Sequence, residues 1–154
     1  MTLTREKTLS EPASKARLRL WLRLLRVTRE VEGELREKLR RDHATTLPRF
    51  DVMAALSRNP EGLKMSELSG VLRVSNGNVT GIIERLVEEG HVLRAVVDGD
   101  RRAFSVRLTE AGRAEFARQA AEHEAWIDAA LSAISPEDAG EITRRLGALT
   151  KREG

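Results

Sequence analysis

Four side chains that can read nucleic acid lie close together near the middle of the chain. They are Ser75, Asn76, Asn78 and Thr80. Short amides and hydroxyls of this kind hydrogen-bond to base edges and phosphates in the major groove of DNA. Their spacing suits the first turn of a helix, which is the part of a recognition helix that contacts bases.

An amphipathic helix is expected to carry these side chains. Its apolar positions recur at spacings of three and four, at Val79, Ile82, Ile83, Leu86 and Val87. The expected inward residues are Val79, Ile83 and Leu86, which leaves the amides and hydroxyls on other faces. Ser and Asn are good N-cap residues at its start, and Gly90 is a good residue to follow its end.

A shorter helix is expected directly before this one. Ser66 is its expected N-cap, and its expected buried stripe is Leu68, Val71 and Leu72. Two helices joined by a tight turn are typical of a helix-turn-helix motif. The basic side chains expected to meet phosphates are Lys64, Arg73 and Arg85, and Ser66 is also a candidate DNA contact.

A β-hairpin is expected to follow. The segments VLRAVV and AFSVRL partly alternate apolar and polar residues, as half-buried strands do, and Asp98-Gly99 supplies the turn. At the tip, Arg101 is expected to enter a minor groove, while Asp98 and Asp100 support the tip and Asp100 pairs with Arg102. Residues 62–64 are expected to form a short strand that pairs with this hairpin, which completes a winged helix-turn-helix.

The order and spacing of these parts resemble a known family. The segments LPRFDVMAAL, KMSELSGVLRVSNGNVTGIIERLVEEGHVLR and DGDRRAFSVRLTEAG, with long helices on either side, are similar to the MarR family of bacterial transcription regulators after about residue 12. The resemblance implies a homodimeric, ligand-responsive repressor or activator that binds short palindromic operators on double-stranded DNA. The effector that it suggests is an aromatic acid or its CoA thioester.

The composition of the chain argues against several other classes of protein. The chain has 154 residues, a formal net charge of +3 and no cysteine, which excludes disulfides and thiolate metal sites. No apolar run approaches the length of a membrane span, so we expect a cytoplasmic protein without a membrane partner.

The expected fold class is mainly α with a small β-hairpin wing, flanked by long dimerisation helices. Residues 1–12 are expected to be a flexible tail, 13–46 an N-terminal dimerisation helix, 47–108 the DNA-binding lobe and 109–154 C-terminal dimerisation helices. Within the last segment, Thr109 and Ser135 are expected N-caps, and Pro136 is expected in a first turn. The outer helices carry more apolar surface than the lobe can cover, which favours a dimer.

A crevice below the lobe is the expected place for an effector. Its candidate lining residues are Trp21, Leu25, His43, Phe50, Met53 and Arg94. The arginine-rich first helix suits a phosphorylated ligand. The alternative interpretation is that Trp21, Phe50 and Met53 are ordinary core residues, and that Arg94 pairs with an acid such as Asp51 or Glu84.

No motif in the chain indicates catalysis, a metal or a cofactor. The three histidines, His43, His91 and His123, lie in different expected elements without the spacing of metal ligands, and we expect His123 to be a packed or hydrogen-bonded residue and not a metal ligand. A phosphate loop and an ordered catalytic triad are both missing. Two alternatives to an effector-controlled regulator remain: a winged-helix protein that binds DNA constitutively, and one that binds only other proteins.

Overall fold

A computed structural model describes residues 12–72, 76–96 and 104–150. Within these ranges the helices are α1 (Ala13–His43), α2 (Leu47–Ser57), α3 (Met65–Leu72), α4 (Asn76–Glu88), α5 (Glu110–Ala130) and α6 (Pro136–Gly147). The strands are β1 (Leu63–Lys64), β2 (Val92–Val96) and β3 (Phe104–Leu108). The chain divides into two compact units, Met1–Glu34 and Leu35–Gly154. The fold class predicted from the sequence is confirmed.

The described part of the first unit is helical. It contains the long N-terminal portion of α1, a helix that ends at His43 in the second unit. Several of its large apolar side chains are about half exposed, with Leu20 at 52%, Trp21 at 55% and Leu22 at 54%. This portion therefore presents an apolar surface that its own unit does not bury.

The second unit contains a three-stranded antiparallel sheet in the order β1-β3-β2. Leu63 pairs with Val106 in the β1–β3 register, so the predicted short strand before α3 is confirmed. Gly62 precedes it with a φ of +103°, and a Cβ there would lie 3.1 Å from the Val106 carbonyl oxygen. Only glycine suits this conformation and this close approach.

The main core lies between this sheet and three helices. Leu68 of α3, Val79 and Ile83 of α4 and Val106 of β3 are all fully buried. They pack with an apolar face of α2 that comprises Val52, Met53, Ala55 and Leu56. Each large apolar side chain buried in this way stabilises the fold by roughly 1.5–3 kcal/mol, so this core sets the position of α4.

A second, smaller apolar cluster joins the C-terminal part of α1, the start of α2 and α5. Leu39, Leu47 and Phe50 are its buried members, and Phe116 and Trp126 pack against them. Phe50 stacks on the ring of His123 with centroids 4.5 Å apart. The prediction that His123 is a packed residue is therefore confirmed.

The starts of α5 and α6 agree with the predicted capping chemistry, and α2 starts in a similar way. Pro48 lies in the first turn of α2, after Thr46 as the N-cap. The Thr109 hydroxyl accepts the Gly112 N–H at the start of α5, and the Ser135 hydroxyl accepts the Asp138 N–H at the start of α6. These bonds satisfy amide donors that a helix start leaves without partners.

The predicted start of α3 is wrong. The helix begins at Met65, and the Glu67 carboxylate accepts the backbone N–H of Lys64 at 3.0 Å, so Ser66 lies inside the helix and is not its N-cap. The buried residues of α3 are Leu68 and Ser69, whereas Val71, which was expected to be buried, is 46% exposed. Every described helix is too short or too polar to cross a bilayer.

Candidate nucleic-acid interface

Helix α4 has one buried face and one exposed polar face. Val79 and Ile83 are fully buried and Leu86 is 1% exposed, which confirms the inward residues predicted from their spacing. Asn78 and Thr80, on either side of Val79, are both exposed. The core thus fixes the helix from beneath and leaves a short amide and a hydroxyl on the surface of its N-terminal half.

The electrostatics of α4 favour a negatively charged partner at its N-terminal end. Its first turn contains no acidic residue. The aligned peptide dipoles of a helix place about half a positive charge at this end, and its first N–H groups point outward toward anions. Arg85, in the last turn, is exposed and adds a positive charge farther along the helix.

The C-terminal end of α4 is closed by a glycine, as predicted. Gly90 has a φ of +79°. Its N–H donates to the Val87 carbonyl at 3.0 Å, and the next N–H, from His91, donates to the Leu86 carbonyl at 2.9 Å. This pattern pairs the last carbonyls of the helix and turns the chain directly into β2.

Helices α2 and α5 hold this same end in a way that the sequence did not predict. The Arg49 guanidinium of α2 donates to the Glu89 carboxylate, which also lies 3.6 Å from Nδ1 of His91. The Thr109 hydroxyl donates to the Gly90 carbonyl at 2.7 Å. Arg49 and Glu89 are 40 residues apart, so no local spacing could have revealed their pairing.

Gly112 explains how closely α5 approaches this end. A Cβ at this position would lie 2.0 Å from the His91 carbonyl oxygen, which is a backbone atom with little freedom to move. Only a residue without a side chain allows the first turn of α5 to pack there. The glycine in the TEAG segment of the sequence therefore has a steric role.

Several predicted DNA contacts lie outside the described residues. They are Arg73, Ser75, Asp98, Asp100, Arg101 and Arg102. Asn76 is the first residue of α4. Lys64 and Ser66 are exposed where β1 meets α3. The structure therefore describes the support of the predicted interface and part of its reading surface, and the individual DNA contacts stay predictions.

The predicted effector residues have different surroundings. Phe50 and Met53 are buried in the two apolar clusters, and Arg94 of β2 lies over the Phe104 ring, with its guanidinium carbon 5.5 Å from the centroid. His43 contacts the Glu122 carboxylate at 2.6 Å. Trp21 and Leu25 belong to the other compact unit, Met1–Glu34.

Within the second unit, the predicted effector residues do not all line the same cavity. His43 and Met53 line a cavity of about 180 Å³, whereas Phe50 lines a different one of about 540 Å³. A third cavity, of about 590 Å³, is lined by Asn78 and Ile82 of α4, Leu72 of α3 and four residues near the start of α2. Those four are Thr46, Pro48, Asp51 and Val52. Among the described side chains, no cluster of histidines and carboxylates has the arrangement of a metal site.

Comparisons with known proteins identify the class. The model of the MarR family matches residues 45–103, which include α2, the helix-turn-helix and the segment between β2 and β3. The crystal structure of a MarR family transcriptional regulator from Silicibacter pomeroyi shares 36% identity and a TM-score of 0.73, over 90% of this chain and 96% of that one. This chain therefore belongs to the MarR family of transcription regulators and is not an enzyme.

Two further relatives agree with this assignment. A MarR family protein of Mycobacterium tuberculosis, in a complex with DNA, shares 26% identity and a TM-score of 0.72, over 86% of this chain and 98% of that one. The HTH-type transcriptional regulator PecS of Dickeya dadantii is 31% identical over 104 residues, which are 66% of this chain and 63% of the PecS sequence.

Proposed function

We propose that the chain is a homodimeric regulator that binds a palindromic operator and is released from it by a small molecule. The observation that carries this proposal is the exposure of Asn78 and Thr80 on a helix whose opposite face, at Val79 and Ile83, is fully buried. A rigid helix with small polar side chains and a positive N-terminal end suits insertion into a major groove. The relative from Mycobacterium tuberculosis, in its complex with DNA, supports the same use of the fold.

The exposed apolar surfaces of the outer helices support a dimer. Leu20 and Leu22 of α1 are more than half exposed, and Ile142 of α6 is 41% exposed. Exposed apolar surface along a helix, such as that of α1, is typical of a protein–protein contact. In the proposed dimer, residues 13–46 and 109–154 form the interface, and the two copies of α4 lie about 34 Å apart in successive major grooves.

The segment between β2 and β3 is proposed to reach the flanking minor grooves. Arg101 would enter the groove, and Arg102 would be held by Asp100. Lys64, Arg73 and Arg85 would contact phosphates, and these contacts would make binding strongly dependent on salt.

The effector is proposed to be an aromatic acid or its CoA thioester, and the protein to act as a repressor. The cavity of about 590 Å³ that includes Asn78 supports effector control, because a molecule in it would touch the helix that reads DNA. A ligand that binds only a conformation with the wrong spacing of the two α4 helices would release the operator by shifting the population.

Fluorescence anisotropy with a labelled duplex from upstream of the protein's own gene tests the DNA-binding proposal. Asn78→Ala is expected to weaken binding by roughly 1–3 kcal/mol, or about 5- to 150-fold, if its amide contacts a base. Ser57→Ala is the matched control, because Ser57 is exposed at the end of α2 and outside the proposed interface. Equal affinities of Asn78→Ala and the unchanged protein would contradict the proposed reading surface.

The same assay separates the two alternatives. Binding that no aromatic acid or CoA thioester weakens, together with an unchanged melting temperature, would favour a constitutive DNA-binding protein. The absence of binding to any duplex at low salt would favour a module that binds proteins, because phosphate contacts are strongest at low salt.

A further inference from the structure

An ion pair joins the C-terminal end of α4 to α2. Arg49 and Glu89 supply the pair, and their side chains are only 19% and 37% exposed. Because partial burial reduces screening by solvent and salt, this pair holds its geometry better than a fully exposed pair does. It fixes the residue that follows α4 to a helix whose own position is set by the core.

A second attachment holds the same end from the side of α5. The Thr109 hydroxyl donates to the Gly90 carbonyl at 2.7 Å, and the Thr109 N–H donates to the His91 carbonyl at 3.0 Å. The close approach at Gly112 leaves no room for a shift of His91 toward α5. Residues 89–91 are therefore held between two helices.

These attachments lie far from the proposed reading surface. Asn78 and Glu89 are eleven positions apart, which at 1.5 Å per residue is about 16 Å along the helix axis. Because an α-helix is stiff over this length, a change of orientation at one end moves the other end. Base contacts depend on hydrogen-bond distances and angles within narrow limits, so the orientation of α4 affects them strongly.

We propose that Arg49 and Glu89 are positioning residues for operator recognition, which rests on the proposed function above. Their ion pair sets the orientation of α4 and thereby raises the preference for the operator over other DNA, without contacting DNA itself. The hydrogen bonds of Thr109 complete the attachment on the α5 side.

Charge provides a way to separate positioning from direct attraction to DNA. Replacement of Arg49 by glutamine removes a positive charge, and replacement of Glu89 by glutamine removes a negative one. If the two residues acted through their charge on DNA, the first change would weaken binding to every duplex and the second would strengthen it. If they act as a pair that orients α4, both changes lower the preference for the operator.

The test measures the affinities of the full-length protein for two duplexes by fluorescence anisotropy. One contains the DNA upstream of its own gene, and the other is a random sequence of the same length. Arg49→Gln and Glu89→Gln are each expected to lower the ratio of the two affinities by about three- to tenfold, and the double variant no further, because the pair is already broken in each single variant. The charge-swapped Arg49→Glu/Glu89→Arg protein is expected to recover part of the ratio.

Glu61→Gln provides a matched control. Glu61 is an exposed carboxylate in the turn between α2 and β1, outside the proposed dimer interface and apart from the proposed DNA contacts. The same carboxylate-to-amide change there is expected to leave the affinity ratio unaltered. A variant that merely contains less folded protein would lower both affinities by the same factor and leave their ratio unchanged.

The possible results bear on two separate proposals. If both affinities move together, downward for Arg49→Gln and upward for Glu89→Gln, or if the ratio is unchanged, the positioning proposal is overturned. If the unchanged protein does not distinguish the two duplexes at all, the proposed operator function fails as well. Both proposals would be supported by three results together. The unchanged protein prefers the upstream duplex, each single variant has a lower ratio of the two affinities, and the charge-swapped protein recovers part of that ratio.

Discussion

Helices α1 and α4 carry similar apolar residues but use them differently. On α4, Val79 and Ile83 are fully buried within the chain. On α1, Leu20, Trp21 and Leu22 are each more than half exposed. The periodicity of a helix thus indicates that it has an apolar face, while the rest of the fold decides whether the same chain covers that face.

The largest difference between α4 and α1 is expected in the free energy of unfolding when one apolar side chain of each helix is truncated to alanine. Ile83→Ala should lower the free energy of unfolding by roughly 2–5 kcal/mol, because it leaves a cavity in a fully packed core. Leu22→Ala should change the unfolding of the monomer by less than about 0.5 kcal/mol, because the side chain is already largely hydrated.

Chemical denaturation at low protein concentration measures both unfolding effects, and sedimentation measures the association of the chains. Leu22→Ala is expected to weaken the proposed dimer, whereas Ile83→Ala is expected to act mainly on unfolding. Equal destabilisation of the monomer by the two substitutions would contradict the contrast between α1 and α4.

A smaller effect is expected from adding one methyl group at two glycines. Gly112→Ala should destabilise the protein by about 1–3 kcal/mol, because its Cβ would overlap the His91 carbonyl oxygen. Gly140→Ala is the control, because a Cβ at this position of α6 meets no atom within 4 Å. It should instead stabilise its helix by roughly 0.5–1 kcal/mol.

Thermal unfolding of the two glycine variants at equal concentration checks this expectation. A melting temperature for Gly112→Ala that equals or exceeds that of the unchanged protein would mean that α5 can move away from His91. That result would weaken the idea that α4 is held rigidly at its C-terminal end.

Local chemistry in the sequence predicted most of the elements and their ends. The spacing of Val79, Ile83 and Leu86 predicted the buried face of α4, and Gly90, Thr109 and Ser135 predicted helix ends correctly, because each signal acts within a few residues. Ser66 misled the prediction, because Glu67 supplies the cap at the start of α3 instead.

Contacts between distant parts of the chain were not predictable in this way. Arg49 and Glu89 pair across 40 residues, and Gly112 is required only because His91 lies against it in the fold. The surroundings of Phe50 and Met53 also depend on how α2 packs. The residue types alone, an aromatic residue and a methionine, could not show whether each position belongs to the core or to the wall of a pocket.

The smallest effect concerns the pH dependence of α6, whose residues are all outside the buried core. Hydrogen bonds from Arg144 and Arg145 lower the pKa of the Glu141 carboxyl below its ordinary value of 4.5. Because the folded-state pKa is lowered, the stabilisation by this pair is fully present above the ordinary pKa and is lost as the pH falls through the lowered one.

NMR titration of the Glu141 side chain is expected to give a pKa below that of the same residue in an unfolded peptide, and Arg144→Gln is expected to raise it. A Glu141 pKa at or above 4.5 would show that α6 does not hold these arginines in place. Since the buried face of α4 contains no ionised group, the packing of Ile83 should persist through the pH range in which this pair is lost. The two regions would then differ in the forces that order them as well as in burial: apolar packing orders α4, while exposed charges contribute to the order of α6.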